Sequence, residues 1–295
     1  MKSKNTILLV GILAVLVLVY LGVSYMGGDS RSKSFRDVLV DIEKDAVTRV
    51  EIDGGGNTTT LSGGPDDWTV HLSDGSTKPA KPGSINSMLS SLSSIEPSRI
   101  ASRSEDKWAD FQVDTSGTQV KVFEGNDEVL DIIIGRFGLE GQRSFYTYVR
   151  LADENDTYVA NNFMSMSVSA DPNSYRENEV LRVTKDSLTN ISFDYPEGAF
   201  SLVKSDGKWF VDNVPADSAN TASYISGLSL VTSRSFTASS GSPVQTVSFG
   251  FSNQEDLTVT LDGNDVLSSS HNEHEFFSDS TVTHKIFKEK SYFMK

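Results

Sequence analysis

Residues 47–53 read VTRVEID and residues 188–194 read LTNISFD, and these two stretches decide the fold. In each, apolar and polar residues alternate, with Val50 and Ile52 in the first and Ile191 and Phe193 in the second. A period of two places those side chains on one face of an extended strand while the other face stays wet, the pattern of a half-buried antiparallel strand. Further alternation follows each opening. DDWTVHL (66–72) carries Trp68, Val70 and Leu72, and DGKWFVD (206–212) carries Trp209 and Val211 after an Asp-Gly pair suited to a tight hairpin. Val50, Ile52 and Trp68 map onto Ile191, Phe193 and Trp209 by the same shift of 141 residues. The chain therefore reads as one plan used twice.

Working outward, each copy turns helical. Ser84 is a cap candidate before Ile85, Met88, Leu89, Leu92 and Ile95, a three-four spacing that Pro97 ends. In the second copy Tyr224, Ile225, Leu228 and Val231 form a similar stripe after Asn220. Strands resume in 118–134 and 256–267. Here Phe111 aligns with Phe249, and Gly125-Asn126-Asp127 with Gly263-Asn264-Asp265, at a shift of 138. That alignment leaves the apolar alternation out of phase by one residue, so either one copy holds a bulge or the turn match is chance. A short helix is also expected over Phe35 to Ala46, with Phe35, Val38, Leu39 and Ile42 on one face.

The 295 residues contain 26 Lys and Arg against 40 Asp and Glu, a formal charge of −14, with 37% apolar residues and no cysteine. The apolar share is enough for a core, and the charge argues against nucleic acid as a partner. The missing cysteines remove disulfides, thiol catalysis and a lipid-bearing cysteine. Residues 6–26 (TILLVGILAVLVLVYLGVSYM) carry no charge. As a helix they would span roughly 30 Å, one hydrocarbon thickness. The rival reading is a cleaved secretory signal with Gly22 and Ser24 before the cut, but its apolar run exceeds the usual 7–15 residues. The expected architecture is α+β: an N-terminal transmembrane helix, then two repeated lobes of antiparallel sheet with packed helices. Its boundaries are a basic leader at 1–5, the transmembrane helix at 6–26, a linker and short helix at 27–46, the first lobe at 47–165, a connector at 166–186 and the second lobe at 187–295.

The basic leader and apolar run, the VTRVEI opening, the Trp68 hairpin, INSMLSSLSSIEPSRIAS (85–102), WADFQVD (108–114) and the strand ending in DIIIG (131–135) together resemble a bacterial family known as domain-of-unknown-function family 4340. The resemblance covers nearly the whole chain, although Phe111-Gln112-Val113 and Thr115 stand where the family usually has Gly-Leu and Pro. It implies a protein anchored in the cytoplasmic (inner) membrane by residues 6–26, with an exterior, periplasmic or extracellular, C-terminal part. It also implies ABC-2-type transporter components as partners, including those linked to gliding motility. It supplies no catalytic residues and no cofactor.

The residues themselves offer few chemical candidates. His271-Asn272-Glu273-His274-Glu275 is the densest set of possible metal ligands, with His271, His274 and Glu275 as the weak candidates. Its spacing differs from helical HExxH, and on a strand the two histidines would face opposite sides. Ser205-Asp206-Gly207-Lys208 matches a Ser-x-x-Lys spacing, but Asp-Gly signals a hairpin rather than the helix that chemistry needs. Asp153-Glu154-Asn155-Asp156 and Asp262-Gly263-Asn264-Asp265 lack EF-hand order. Trp68 and Trp209 read as core residues rather than a stacking platform for sugars. No catalytic residue, metal or cofactor is thus assigned. The expected function is a non-enzymatic accessory or scaffold subunit of an ABC-2-type transporter complex. The alternatives are an extracytoplasmic ligand-binding module with a cleft between the lobes, and a metal-dependent hydrolase at His271 and His274.

Overall fold

The computed structural model describes residues 36, 38–141 and 143–295. The expected transmembrane helix at 6–26 lies outside them, as does Phe35. Among the described residues no helix is long and apolar enough to cross a membrane. The α+β expectation is corrected: the molecule is mostly antiparallel sheet, arranged as two large sheets.

The first sheet starts at its middle. Strand β1 (Val47–Gly54) is followed outward by β2 (Asn57–Gly64), β3 (Asp67–His71) and β4 (Thr77–Pro79). Helix α1 (Pro82–Ser93) then carries the chain to the opposite edge, where β5 (Pro97–Ser102) lies. A short helix α2 (Trp108–Phe111) precedes β6 (Thr118–Glu124), which returns beside β1. β7 (Asp127–Glu140), β8 (Ser144–Leu151) and β9 (Thr157–Asn161) fill the gap to β5, giving the order β4-β3-β2-β1-β6-β7-β8-β9-β5.

After β10 (Glu179–Leu181) the second sheet repeats this path. It uses β11 (Leu188–Asp194), β12 (Phe200–Ser205), β13 (Lys208–Val211) and β14 (Val214–Pro215), then helix α3 (Ser218–Gly227). β15 (Val231–Thr232) pairs with β10 in a separate ribbon. β16 (Phe236–Thr237), β17 (Pro243–Phe251), β18 (Leu257–Asp262), β19 (Leu267–Ser269) and β20 (Asn272–Phe277) complete the order β14-β13-β12-β11-β17-β18-β19-β20-β16, and α4 (Ser280–Ile286) follows.

Register shows how closely the two halves correspond. Val50 opposite Leu61 recurs as Ile191 opposite Leu202, and Leu61 opposite Val70 recurs as Leu202 opposite Val211. All six side chains are buried. Beyond the helix the offset changes. Val122 opposite Leu130 corresponds to Phe249 opposite Leu257, and Val120 opposite Ile132 to Val247 opposite Val259, a shift of 127. The 138-residue alignment is therefore corrected, with Phe249 matching Val122 and not Phe111. Gly125-Asn126-Asp127 joins β6 to β7, whereas Gly263-Asn264-Asp265 follows β18, one hairpin further along. Shifts of 138 and 127 differ by an odd number, which accounts for the phase error without a bulge. Gly-Asn-Asp is general turn chemistry and recurs wherever a hairpin must close.

The helices are shorter than their stripes suggest. Helix α1 starts at Pro82, ahead of Ser84, and buries Ile85, Met88, Leu89 and Leu92 in one core with Val50, Ile52, Leu61, Val120 and Ile132. Each such side chain contributes about 1.5–3 kcal/mol through burial. Helix α3 starts after Asp217, whose carboxylate accepts the Asn220 N–H, and it ends at Gly227, so Val231 belongs to a strand. Among the described residues from 38 to 46 there is no α-helix: Lys44–Ala46 form a single 3-10 turn. Leu39 and Val40 are both buried while Val38 is exposed, a pattern that fits a chain laid along the core edge rather than a helical stripe.

The turn after β18 is held by one carboxylate. Asp262 Oδ1 accepts the N–H groups of Asn264 and Val266, each at 2.8 Å, and Oδ2 accepts that of Gly241 at 2.6 Å. These backbone donors, Val266 first, lower its pKa below the ordinary aspartate value. A depressed folded-state pKa means that the stabilisation is present above the unfolded pKa and is lost as pH falls through the folded one. Asp262→Asn is therefore expected to lower Tm at pH 7, with the gap to wild type closing as pH falls below about 4, the unfolded aspartate value. A gap constant down to pH 2 in thermal melts would contradict this.

Candidate functional site

The segment that looked most like a metal site lies where the two sheets meet. Glu275, on β20, is fully buried, and its carboxylate takes both Nε (2.9 Å) and Nη2 of Arg176, from the segment joining the sheets. Lys78 on β4 donates to the His274 carbonyl at 2.6 Å and lies 4.0 Å from Glu275. The Arg176 guanidinium also stacks on Phe236, 3.8 Å from the ring centroid. The His271 ring lies 3.2 Å from Glu179 on β10, and Asn272 Nδ2 donates to the carbonyls of Glu177 and Glu179. His271, His274 and Glu275 thus reach three different partners. Among the described residues no group of three or more His, Cys, Asp or Glu side chains converges on a metal position. The cluster fastens one sheet to the other.

The remaining candidates also have local roles. Ser205 and Lys208 face each other across a hairpin whose Asp206 and Gly207 both have positive φ, the geometry of a two-residue turn. Asp262 is committed to backbone amides. Glu154 accepts the Tyr158 hydroxyl at 2.7 Å and pairs with Arg36 at 3.1 Å. Trp68 is buried, whereas Trp209 is half-buried against the second core.

Two features of the first lobe went unread in the sequence. One is a cleft on the sheet face opposite α1. Asp53, Gln119, Ile133 and Arg150 form one row across β1, β6, β7 and β8, each directly opposite the next. Glu105, Trp108, Asp114, Thr115 and Gly117, from the loop between β5 and β6, form the other wall of a cavity of about 520 Å³. Arg150 is only 5% exposed. Its Nε donates to the Val113 carbonyl, and Nη1 to the carbonyls of Leu151, Ala152 and Glu154. The guanidinium lies 3.7 Å from the Trp108 ring centroid. Burial lowers its pKa, and the charges of Asp131, Glu105 and Asp114 oppose that effect. Asp114 accepts the Ser116 hydroxyl at 2.5 Å and the Ser116 N–H at 3.1 Å, which holds its carboxyl below the ordinary aspartate value.

The other feature is a ledge. β6 pairs with β7 only as far as Ile134, so residues from Phe137 to Glu140 and their partners Ser144 to Thr147 run on past it, with β9 alongside β8 only as far as Tyr146, and end as a ribbon. Leu139 is 70% exposed there, and the rings of Phe137 and Phe145 lie 5.9 Å apart. Asn162 N–H donates to the Phe145 carbonyl, which brings the following segment alongside, with Met166 75% exposed. On the ribbon's other face the Tyr146 ring lies over Gly138, where an added Cβ would fall 2.5 Å from the ring. The Tyr146 hydroxyl is held above the ordinary tyrosine pKa, first by the hydrogen bond with Tyr148, while Arg136 and Arg99 act in the opposite direction. The signal in the sequence was RFGLE (136–140), an apolar alternation running past the buried Ile132, Ile133 and Ile134.

The cavities detailed in the structure are each lined by one lobe, and the Arg176–Glu275 pair occupies the meeting of the sheets. Removing one member of a buried, hydrogen-bonded ion pair strands the other charge and costs about 3–5 kcal/mol, whereas replacing both with apolar groups is often neutral. Glu275→Ala is thus expected to unfold at markedly lower denaturant, and Arg176→Met combined with Glu275→Leu to recover most of the loss. Chemical denaturation of the three proteins checks it: a double variant no better than the single one would contradict the pair's role.

No curated protein and no solved structure matches the chain. A family does: the one described as Domain of unknown function (DUF4340) matches residues 71–236, which run from the end of β3 to the start of β16 and take in the ledge, the cleft lining apart from Asp53, and Arg176 but not Glu275 of the junction. With more than half of its length matched, the chain belongs to the DUF4340 family.

Proposed function

We propose that this chain is a non-enzymatic envelope protein that binds other proteins, acting as an accessory or scaffold subunit of an ABC-2-type transporter complex. The observation that carries the reading is the ledge at the end of β7 and the start of β8. Leu139 exposes a large apolar side chain on the strand that carries Phe137 of the Phe137–Phe145 pair, Met166 exposes another on the segment after β9, and Arg136 and Arg143 lie in the same hairpin as Leu139. Apolar, aromatic and arginine side chains gathered at one place are the composition of protein-binding hot spots. A core does not need them there, because the strands at this point extend past β6.

The proposed location is the cytoplasmic membrane, with the two sheets on its exterior side. Support comes from the charge-free run at 6–26 and from the setting that the family resemblance implies. Gliding motility is one branch of that setting. A tethered protein meets its membrane partners at high effective concentration, so an interface of modest area can stay occupied.

The full-length chain, crosslinked in cells at native expression, is expected to capture an integral membrane component of a transporter. Leu139→Asp with Met166→Asp is expected to weaken that capture at least tenfold, the loss of one hot-spot residue or more, at unchanged Tm. Crosslinking of the wild type only to itself, or undiminished capture by the double variant, would overturn the accessory role.

A further inference from the structure

The two lobes share strand order and register, so a side chain that differs between equivalent positions is not dictated by the fold. Across the outer face of the first sheet the row reads Asp53, Gln119, Ile133, Arg150. Its counterpart in the second sheet reads Asp194, Thr246, Thr260, Ser268. There Thr260 and Ser268 hydroxyls bond each other at 2.6 Å and complete the row with small groups. The first lobe alone adds the segment carrying Glu105, Trp108 and Asp114 between its edge strand and its return strand, where the second has only five residues between β16 and β17. The same scaffold closes without a buried arginine, and without the wall that makes this cleft.

Arg150 is more than nine-tenths buried and faces no ion pair among the described residues. Its Nε and Nη1 hold backbone carbonyls, while Nη2 has no hydrogen bond among the described residues, and the residue lines the cavity. A guanidinium nitrogen left over in this way is a donor for a ligand oxygen, best an anionic one. The remaining charged groups of the cleft are three carboxylates, those of Asp53, Glu105 and Asp114. An excess of acid repels a phosphate or any other simple polyanion, but it suits a ligand that brings one carboxylate together with more positive charge. The cavity volume is in the range of small-ligand sites and holds a single amino-acid residue.

We propose that this cleft binds a basic amino-acid residue with a free α-carboxylate, either the free amino acid or the carboxyl-terminal residue of a peptide. The carboxylate is held by Arg150 Nη2, and the cationic groups by Asp53, Glu105 and Asp114. This site lies apart from the ledge, and its binding is measured on the purified chain without any partner, so its failure and that of the accessory role are separate results.

The experiment is isothermal titration of the full chain in mild detergent with L-lysine, L-arginine and Gly-Gly-Lys, against cadaverine (no carboxylate) and L-glutamate. Saturable binding of lysine or arginine is expected, with cadaverine and glutamate at least tenfold weaker; Gly-Gly-Lys binding as tightly as lysine assigns the peptide terminus, and much weaker binding assigns the free amino acid. Arg150→Gln is expected to abolish the preference for lysine over cadaverine. Because Arg150 also secures its loop, Asp53→Asn with Glu105→Gln at two exposed positions serves as the fold-neutral variant, and a tenfold loss of lysine affinity is expected there at unchanged Tm. Absence of binding by all three basic ligands, cadaverine equal to lysine in the wild type, or an unchanged affinity in the Asp53/Glu105 variant would each overturn the proposal.

Discussion

Each sheet is built around one strand that pairs on one side with the next strand of its own hairpin and on the other with a strand distant in the chain. β1 lies between β2 and β6, so Val50 has Leu61 on one side and Val122 on the other; β11 repeats this with Ile191 between Leu202 and Phe249. A slip of one residue in either pairing would turn these side chains out to solvent. Because the first strand of each lobe is central, the chain must leave toward one edge and come back, and the crossing helix makes that return possible. Its apolar stripe covers the face that the central strands leave bare. The order of elements and the place of the main core follow from that central pairing.

The outer face is where the halves part. In the first lobe Ile133 joins Val113, Tyr148 and Val159 in a small second core, roofed by Trp108 and Phe111. Ile132, Ile133 and Ile134 are therefore buried on both sides of the sheet, and a charged group at the neighbouring Arg150 must find its partners within the protein. It does so on backbone carbonyls and an aromatic ring rather than a carboxylate. Duplication supplies an internal comparison here: one copy shows what the scaffold requires, and the other shows what has been added.

Between the lobes, charge is used for fastening. The Arg176–Glu275 pair is desolvated, so its net contribution to stability is small compared with the cost of breaking it. Such a contact selects one arrangement of the sheets over others. The histidines that stood out as possible ligands flank this contact, and their proximity in the chain reflects a strand edge meeting a connector.

The amino-acid sequence by itself determined the local grammar. Alternation in VTRVEID and LTNISFD, the Trp68 and Trp209 hairpins and the stripe from Ile85 to Leu92 are consequences of neighbouring residues, and their spacing marks them as strand, turn and helix. Beyond the duplication itself, what it left open was which distant segments pair. The dominance of sheet over helix depended on strands too short or too polar to stand out, such as β14 and β16, finding edges to pair with. The odd offset between Gly125 and Gly263 could be resolved only by cross-strand register, since two hairpins with the same turn residues look alike until their partners are known. The cleft was invisible for the same reason: Asp53, Gln119, Ile133 and Arg150 are separated by up to 97 residues and become one row only through three strand pairings. Glu275 likewise is only a weak metal-ligand candidate in the sequence, because Arg176, its partner in the low-dielectric junction, is 99 residues away. Local pattern is written in contiguous residues, whereas desolvation and charge pairing depend on which distant surfaces meet.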